Sequence, residues 1–383
     1  MYLKRIINNV LGETEMKMNL PYSNELDIQH FSRLFDNMSE CYKLFWFQAI
    51  VDAVIAGKEK VSYDELINQM VADAWYMVSE YKLNLGPKDT LEDLVHYSYK
   101  LSGLKSSEKR DKVLVFLQNS QNKELIQKKR VLTLNVPYRL QAPFMPDFKG
   151  TAWDGGFADI AARINQHQRL LYYFNMISGL QSEIRFDKDW LDYIQSNQEI
   201  IKGWIQYNMI LYLQRRNPSV PGIANKIYPP DERNLERVKK YWKLIVTLRP
   251  THDIYANIEL TTNDISIDHF VPWSYVAHDE LWNLCPTTRN INSSKSNSLP
   301  DWRMYFHRLG EIEYEAYEMV QQYDIVQKEF DKCVKEHVNN QDVLSKLYRP
   351  ELSKPVFIGY LKEIIEPLYT AASNMGFEFW RLS

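Results

Sequence analysis

The sequence predicts a mainly α-helical protein that carries a small strand–loop–strand–helix module in its C-terminal half. Two observations predict this fold class. Apolar residues recur at helical spacing over most of the chain. Between residues 253 and 286 the pattern changes to β-branched residues, turn residues and short apolar alternation, which are typical of strands. At 383 residues the chain is long enough for two or three domains of about 150 residues each.

Three helices are predicted in the first 130 residues. The first has its apolar face over residues 42–54. The predicted boundaries are a stop near Gly57 for the first helix, a capping box of Ser62 and Glu65 at the start of the second, and a third helix from Asp89 or Thr90 to about Gly103. These helices would begin a helical domain whose role the sequence does not reveal.

Proline and glycine divide the rest of the chain. Residues 136–156 are rich in both and are predicted to form a loop or linker. Helical patterns resume at about residue 157 and continue, with interruptions, to about residue 214, where a second break begins. We therefore predict three regions, namely a helical domain at 1–230 with a potential split near 136–156, the module at 231–310, and a helical region at 311–383 that packs on the module.

The composition excludes several classes of protein. Apolar residues make up 45% of the chain and charged residues 25%, as in ordinary globular proteins. No stretch approaches the roughly 18 uninterrupted apolar residues of a membrane-spanning helix, and the first residues lack the pattern of a signal peptide. Cys41, Cys285 and Cys333 lie far apart, so we expect no structural zinc and no disulfide framework. These features favour a cytoplasmic protein without a membrane association.

Any nucleic-acid interface must be local, because the formal net charge is −3. One candidate is the predicted helix at residues 233–249, whose six cations and one acid give a net charge of +5. Its nucleic-acid contacts would be Lys239, Lys240 and Lys243. The alternative interpretation is a solvated helix face without a ligand.

The chemistry is concentrated between Asp268 and Pro300. Hydrolysis of a phosphodiester needs a nucleophilic water, a general base and a cation that stabilises negative charge. A neutral histidine suits the base near neutral pH, and carboxylate and amide oxygens suit Mg²⁺. Asp268, His269 and Asn292 supply these groups.

Geometry sets one condition on this site. Adjacent residues on a regular strand point to opposite faces, so Asp268 and His269 share a site only where the strand ends or twists. Pro272 just downstream is consistent with a ladder that stops there. Asn292 would then come from the helix that follows the second strand, in a segment rich in N-cap formers.

This segment resembles the HNH nuclease family, whose ββα-metal fold carries its functional residues in the same order. It is most similar to the HNH domains of CRISPR RNA-guided nucleases. The matching residues are Asp268, His269 and Pro272 at the first motif, Asn283 and Asn292 nine positions apart, and then Lys295 and Pro300.

The resemblance implies a role for each matching residue. His269 is expected to be the general base, Asp268 and Asn292 the metal ligands, and Asn283 the residue that fixes the loop and orients the histidine. Lys295 is expected to face a DNA phosphate, with Arg289 as a further nucleic-acid contact. The expected cofactor is Mg²⁺, with Mn²⁺ as the alternative.

The acids of His278-Asp279-Glu280 are interpreted as part of a polar loop rather than as metal ligands. Asparagine at the third motif position, where many HNH enzymes have histidine, disfavours a transition-metal site built from imidazoles alone.

The predicted function is a metal-dependent endonuclease that acts on DNA. The overall layout resembles bacterial HNH proteins of phage defence. Three roles stay open for the N-terminal helical domain, namely reading DNA ends or sequence, sensing a signal, or docking a second protein of a defence system. Two alternatives remain open. One is a DNA-binding or partner-docking module that retains the HNH fold without cutting, and the other is a nuclease directed at RNA.

Overall fold

The computed structural model describes residues 20–36, 38–87, 89–230 and 234–382. Helices dominate, with a few small sheets, and a ββα module lies in the C-terminal half, so the predicted fold class is confirmed. The predictions for the N-terminal segment up to residue 19, and for Arg233 in the basic run, lie outside the described residues. In the part of the chain that is described, none of the helices combines the length and apolar character needed to cross a membrane.

The chain divides into two compact units. The first comprises residues up to 75 together with 85–212, and the second comprises residues 76–84 and those from 213 onward. The predicted domain boundaries at 230 and 310 stay a prediction, because compactness alone does not mark a functional domain.

The first unit is mostly helical. Its helices are α1 (Ile28–Phe31), α2 (Tyr42–Ile55), α3 (Tyr63–Trp75), α4 (Thr90–Ser102), α5 (Arg110–Asn119), α6 (Lys123–Val131), α7 (Val136–Arg139), α8 (Phe157–Ile164), α9 (Lys188–Ser196) and α10 (Gln198–Arg216), of which residues 213–216 belong to the second unit. Short 3₁₀ turns occupy Ala142–Phe144, Gly150–Trp153 and Gly179–Gln181.

The predicted helix boundaries in this unit are confirmed by their capping contacts. Ser62 Oγ accepts a hydrogen bond from the Glu65 amide at 3.2 Å, just before α3. Asp89 is the N-cap of α4 and accepts from two backbone amides of its first turn. Gly103 ends α4 in the left-handed conformation, with φ of 66°, where a residue without a Cβ is favoured.

The sequence reasoning missed a small sheet in the first unit. Strands β1 (Lys60–Ser62), β2 (Tyr172–Met176) and β3 (Glu183–Phe186) pair antiparallel in the order β1–β3–β2. The expectation of helical structure from 157 to 214 is therefore wrong between α8 and α9. A short apolar run such as residues 170–174 does not distinguish strand from helix, and its partner β1 lies more than 100 residues away in the chain.

The second unit holds the module and the C-terminal helices. Its helices are α11 (Glu236–Leu248), α12 (Trp273–Val276), α13 (Arg289–Lys295), α14 (Trp302–Gln322), α15 (Asp324–His337), α16 (Gln341–Leu347) and α17 (Lys354–Asn374), with a π-helix at Tyr76–Glu80 and 3₁₀ turns at Ile223–Lys226 and Leu281–Asn283. Its strands are β4 (Ser266–His269), β5 (Leu284–Thr287), β6 (Leu299–Pro300) and β7 (Phe379–Trp380). β4 pairs antiparallel with β5, and β6 pairs parallel with β7.

One hydrophobic core joins α11, the β4–β5 hairpin and the C-terminal helices. α11 contributes Val238, Tyr241, Trp242 and Ile245 from one face. The indole of Trp242 is buried, and its Nε1 donates to the carbonyl oxygen of Leu284 in β5 at 3.2 Å. The hairpin therefore packs against a helix that precedes it in sequence and against helices that follow it.

Two helical glycines of this unit differ in the space around them, which gives a matched pair of variants. A Cβ on Gly310 in α14 would lie 2.9 Å from Cγ1 of Ile358, whereas a Cβ on Gly359 in α17 would meet no described atom within 4 Å. We expect Gly359→Ala to raise the free energy of unfolding by about 0.5–1 kcal/mol through helix propensity. We expect Gly310→Ala to lower it by about 1–3 kcal/mol through overpacking. Denaturant unfolding of both variants measures this, and equal effects would contradict the packing of α14 on α17.

Candidate functional site

The β4–β5 hairpin and α13 form the framework of the site. Asp268 lies opposite Cys285 and His269 opposite Leu284 in the antiparallel register. β4 ends at His269, as two adjacent functional side chains require. The Phe270 amide still donates to the carbonyl oxygen of Asn283 at 2.9 Å, and beyond it the chain leaves the ladder for a long loop.

Asp268 is a buried carboxylate with a partner on each oxygen. Its side chain is 4% exposed. The Tyr255 hydroxyl donates to Oδ2 at 2.6 Å, and the Lys295 ammonium donates to Oδ1 at 3.1 Å. Burial, reinforced by the charge of Asp268, raises the pKa of Tyr255 well above its usual range, so the phenol stays protonated and can donate. The carboxylate is thereby held in one orientation.

Lys295 lies in the interior, which differs from the expectation that it faces a phosphate. Its side chain is 1% exposed, and its ammonium also donates to the carbonyl oxygen of His269 at 2.7 Å. A buried carboxylate is costly unless a charge and hydrogen bonds compensate it. Lys295, in the last turn of α13, supplies this compensation for Asp268 and also holds the end of β4.

His269 is paired with an acid that sequence reasoning placed in a polar loop. Its Nε2 lies 2.7 Å from Oδ1 of Asp279, and the histidine is 6% exposed. Since a carboxylate accepts, the proton of this hydrogen bond belongs on Nε2. The one available signal was an acid ten positions after the histidine, and the path of the intervening loop could not be read from its composition.

Asn283 closes the loop that leaves β4. It is fully buried, its Oδ1 accepts from the Val271 amide at 2.8 Å, and its Nδ2 donates to the Val271 carbonyl oxygen at 2.9 Å. An amide side chain can satisfy a donor and an acceptor of one residue in this way, whereas aspartate would lack the donor. These bonds fix the chain two residues after His269.

Asn292 projects from α13 toward β4. Its Nδ2 donates to Ser266 Oγ at 2.8 Å and to the Ile267 carbonyl oxygen at 3.0 Å. Among the described residues, both hydrogen bonds of this side chain use the nitrogen, which leaves Oδ1 available as a metal ligand. The amide of Asn292 therefore contacts the first two residues of β4, and the carboxylate of Asp268 follows directly in the same strand.

These donors fit a hard divalent cation. A carboxylate oxygen and an amide oxygen are ligands that Mg²⁺ accepts while it keeps several waters. The described residues contain no cluster of three or more His, Cys, Asp and Glu side chains that could hold a metal. A site at Asp268 would therefore rely on the amide of Asn292 as its second protein ligand.

Residues 253–255 support the site from outside the β4–β5 hairpin. Buried Asp253 accepts from the Tyr255 amide at 2.8 Å and from the Thr287 hydroxyl at 2.5 Å. Burial raises the pKa of Asp253 above its usual value. This carboxyl connects the segment that carries Tyr255 to the end of β5, so the tyrosine is fixed where it meets Asp268.

The predicted nucleic-acid contacts lie on different elements. Arg289 is exposed at the start of α13. Lys239, Lys240 and Lys243 lie on α11, where Lys240 pairs with Glu329 of α15 at 3.1 Å and Lys239 with Glu236 at 3.9 Å. The net positive charge counted along the sequence is thus partly offset by acids nearby in space.

Two arginines of this basic run are also paired. Arg237 contacts Glu336 at 2.9 Å and Arg249 contacts Glu318 at 4.0 Å. Exposed pairs of this kind contribute little to stability, at most about 1 kcal/mol each. They do lower the local positive potential that a nucleic acid would meet on α11.

Comparison with known proteins agrees with this geometry. A family model described as HNH endonuclease matches residues 251–301. Searches among curated proteins and among solved structures found no match. The matched residues include the Tyr255 segment, the hairpin and α13, and a domain of this family acts on nucleic acid. The match therefore supports an HNH endonuclease domain at residues 251–301.

Proposed function

We propose that this protein is a divalent-metal-dependent endonuclease that hydrolyses phosphodiester bonds in DNA. The observation that supports the proposal is that a carboxylate and a histidine of β4, together with an amide of α13 that contacts β4, belong to one strand–helix unit. Asp268 and His269 lie at the last two positions of that strand, and α13 brings Asn292 to it through the bond to Ile267.

His269 is the proposed general base. Because its Nε2 donates to Asp279, the proton from water would be taken by Nδ1. The Asn283 bonds to Val271 and the Lys295 bond to the His269 carbonyl fix the backbone on which the ring is mounted. The imidazole is therefore oriented before any substrate binds, which lowers the cost of reaching a reactive geometry.

Asp268 and Asn292 are the proposed metal ligands, with Mg²⁺ the expected ion and Mn²⁺ the alternative. A bound divalent cation would stabilise negative charge on the phosphate and on the departing oxygen. Tyr255 and Lys295 orient the carboxylate, and Ser266 and Ile267 orient the amide. The exposed guanidinium of Arg289 on α13 is the proposed phosphate contact nearest in sequence to these ligands.

The first prediction concerns the base. We expect His269→Ala to lower the rate of plasmid cleavage by about 10²- to 10⁴-fold, because general-base catalysis contributes that much. Mn²⁺ affinity should change little, since the ring is not a proposed ligand. His307→Ala is the control, because this histidine on α14 is 72% exposed and should be dispensable. Cleavage by His269→Ala at the rate of the control would contradict the role of the base.

The second prediction concerns the metal. We expect Asn292→Ala to weaken Mn²⁺ binding, measured by calorimetry or by electron paramagnetic resonance, since it removes one of two protein ligands. Asn292→Asp should tighten binding, because a carboxylate replaces a neutral oxygen. If Asn292 served only to hold Ser266 and Ile267, both variants would lose stability and neither would change Mn²⁺ affinity in the folded protein.

The third prediction separates the remaining functions. We propose DNA as the substrate, so labelled double-stranded DNA should be cut with Mg²⁺ and the cut should be competed by unlabelled DNA better than by RNA of equal length. Preferential cleavage of RNA would favour the RNA-directed alternative. Binding of DNA without cleavage under any divalent metal, by a protein with intact His269, would favour the docking module.

The proposed role in bacterial defence against phage rests on the resemblance of the overall layout alone. Phage plating on cells that express the wild-type chain or His269→Ala tests it. Protection that requires His269 is the expected result, and equal plating on both strains would contradict it.

A further inference from the structure

The loop between β4 and β5 is held by residues far downstream in the chain. His337, the last residue of α15, has its Nδ1 2.8 Å from the carbonyl oxygen of Asp279 and donates to it. Asn339 donates from its backbone to both carboxylate oxygens of Glu280 at 3.2 Å, and from its side chain to Oε1 at 2.8 Å. Residues 337–339 therefore hold the backbone of one loop residue and the side chain of the next.

These contacts join buried groups of the second unit to two residues nearer its surface. His337 is 5% exposed, Glu280 is 7% exposed and His269 is 6% exposed, whereas Asn339 is exposed and the Asp279 side chain is 23% exposed. Water poorly replaces a hydrogen bond made by one of the three buried side chains, so a lost contact there leaves a buried polar group unsatisfied. The position of Asp279 is consequently set by the end of α15 as well as by the hairpin.

We propose that Asp279 is a positioning residue for His269 and that the end of α15 is an integral part of the nuclease site. Asp279 would hold the proton of His269 on Nε2 and so present Nδ1 to water. His337 and Asn339 would hold Asp279 and Glu280 in place. This inference rests on the proposed function of His269 as the base, and it extends the site beyond residues 251–301.

The geometry makes a statement about the tautomer that does not depend on activity. A carboxylate that accepts from Nε2 stabilises the neutral ring with its proton on that nitrogen. An amide in place of the carboxylate can offer a donor instead, which would favour the opposite tautomer. The nitrogen chemical shifts of His269 distinguish the two forms.

The first test uses protein labelled with ¹⁵N-histidine. The chain has eight histidines, and the signals of His269 are assigned by their loss in His269→Gln. We expect the neutral ring of the wild type to carry its proton on Nε2 and none on Nδ1. A neutral ring with its proton on Nδ1 in the wild type would overturn the proposal, and this measurement needs no other variant to fold.

The second test compares Asp279→Asn with Asp331→Asn, which makes the same change at an exposed acid on α15. We expect Asp279→Asn to lower kcat for DNA cleavage by about 10- to 100-fold, because a misoriented His269 would keep only part of the rate enhancement that a general base provides. KM and Mn²⁺ affinity should stay within about two-fold, and the tautomer signal should shift. Wild-type kcat together with an unchanged tautomer in Asp279→Asn would overturn the proposal.

The third test asks whether His337 acts through Asp279. His337→Leu removes the donor to the Asp279 carbonyl, whereas the amide of His337→Gln can replace it. We expect a lower kcat in His337→Leu and recovery in His337→Gln. Adding His337→Leu to Asp279→Asn should cost little further, because residues that act as a unit are not additive. Two results would contradict action through Asp279. One is a double variant whose loss of kcat equals the sum of the two single losses in free energy. The other is an equal loss of kcat in His337→Leu and His337→Gln.

Failure of this inference and failure of the proposed function give different results. If His269→Ala still cuts DNA, the proposed function fails, whatever Asp279 does. If His269→Ala is inactive while Asp279→Asn and His337→Leu match the wild type, only the positioning role is lost.

Discussion

The buried ion pair between Lys295 and Asp268 is the interaction on which the rest of the site depends. A carboxylate that is 4% exposed is tolerable only with a charged partner and further hydrogen bonds, and Lys295 and Tyr255 provide them. Removing one partner of such a pair typically costs about 3–5 kcal/mol, because the other charge is left uncompensated. The pair also sets the relation of α13 to β4, since the same ammonium holds the His269 carbonyl. Orientation of Asp268 and placement of α13 therefore have one physical cause.

A second constraint acts on the loop that follows β4. Asn283 fixes the chain at Val271, and residues 337–339 fix it at Asp279 and Glu280. Between these points the loop has little freedom to move its acid away from His269. The hairpin is short, four residues in each strand, and a two-stranded hairpin alone is barely stable in water. The core that joins it to α11 and the C-terminal helices supplies the rigidity that positioned side chains need.

Sequence reasoning recovered the parts of this molecule that local patterns encode. These parts include the helical spacing, the caps at Ser62 and Asp89, and the strand–loop–strand–helix order. The motif residues indicated similarity to the HNH family, which the family model also matches. It missed β2 and β3, because their pairing depends on distant β1. It also expected Lys295 to face a DNA phosphate, whereas the side chain is buried, and it did not foresee that Asp279 of the polar loop pairs with His269. Both differences have one origin, since the burial of a side chain and its partner depend on chain segments that only the folded structure brings together.

In the proposed site, Asp268 and Asn292 hold a divalent metal beside His269. Anomalous diffraction from crystals soaked in Mn²⁺ tests it most directly, because manganese is located without reference to activity. We expect a peak bonded to a carboxylate oxygen of Asp268 and to Oδ1 of Asn292, beside β4. A well-occupied peak elsewhere in the second unit, with none at these two residues, would contradict it.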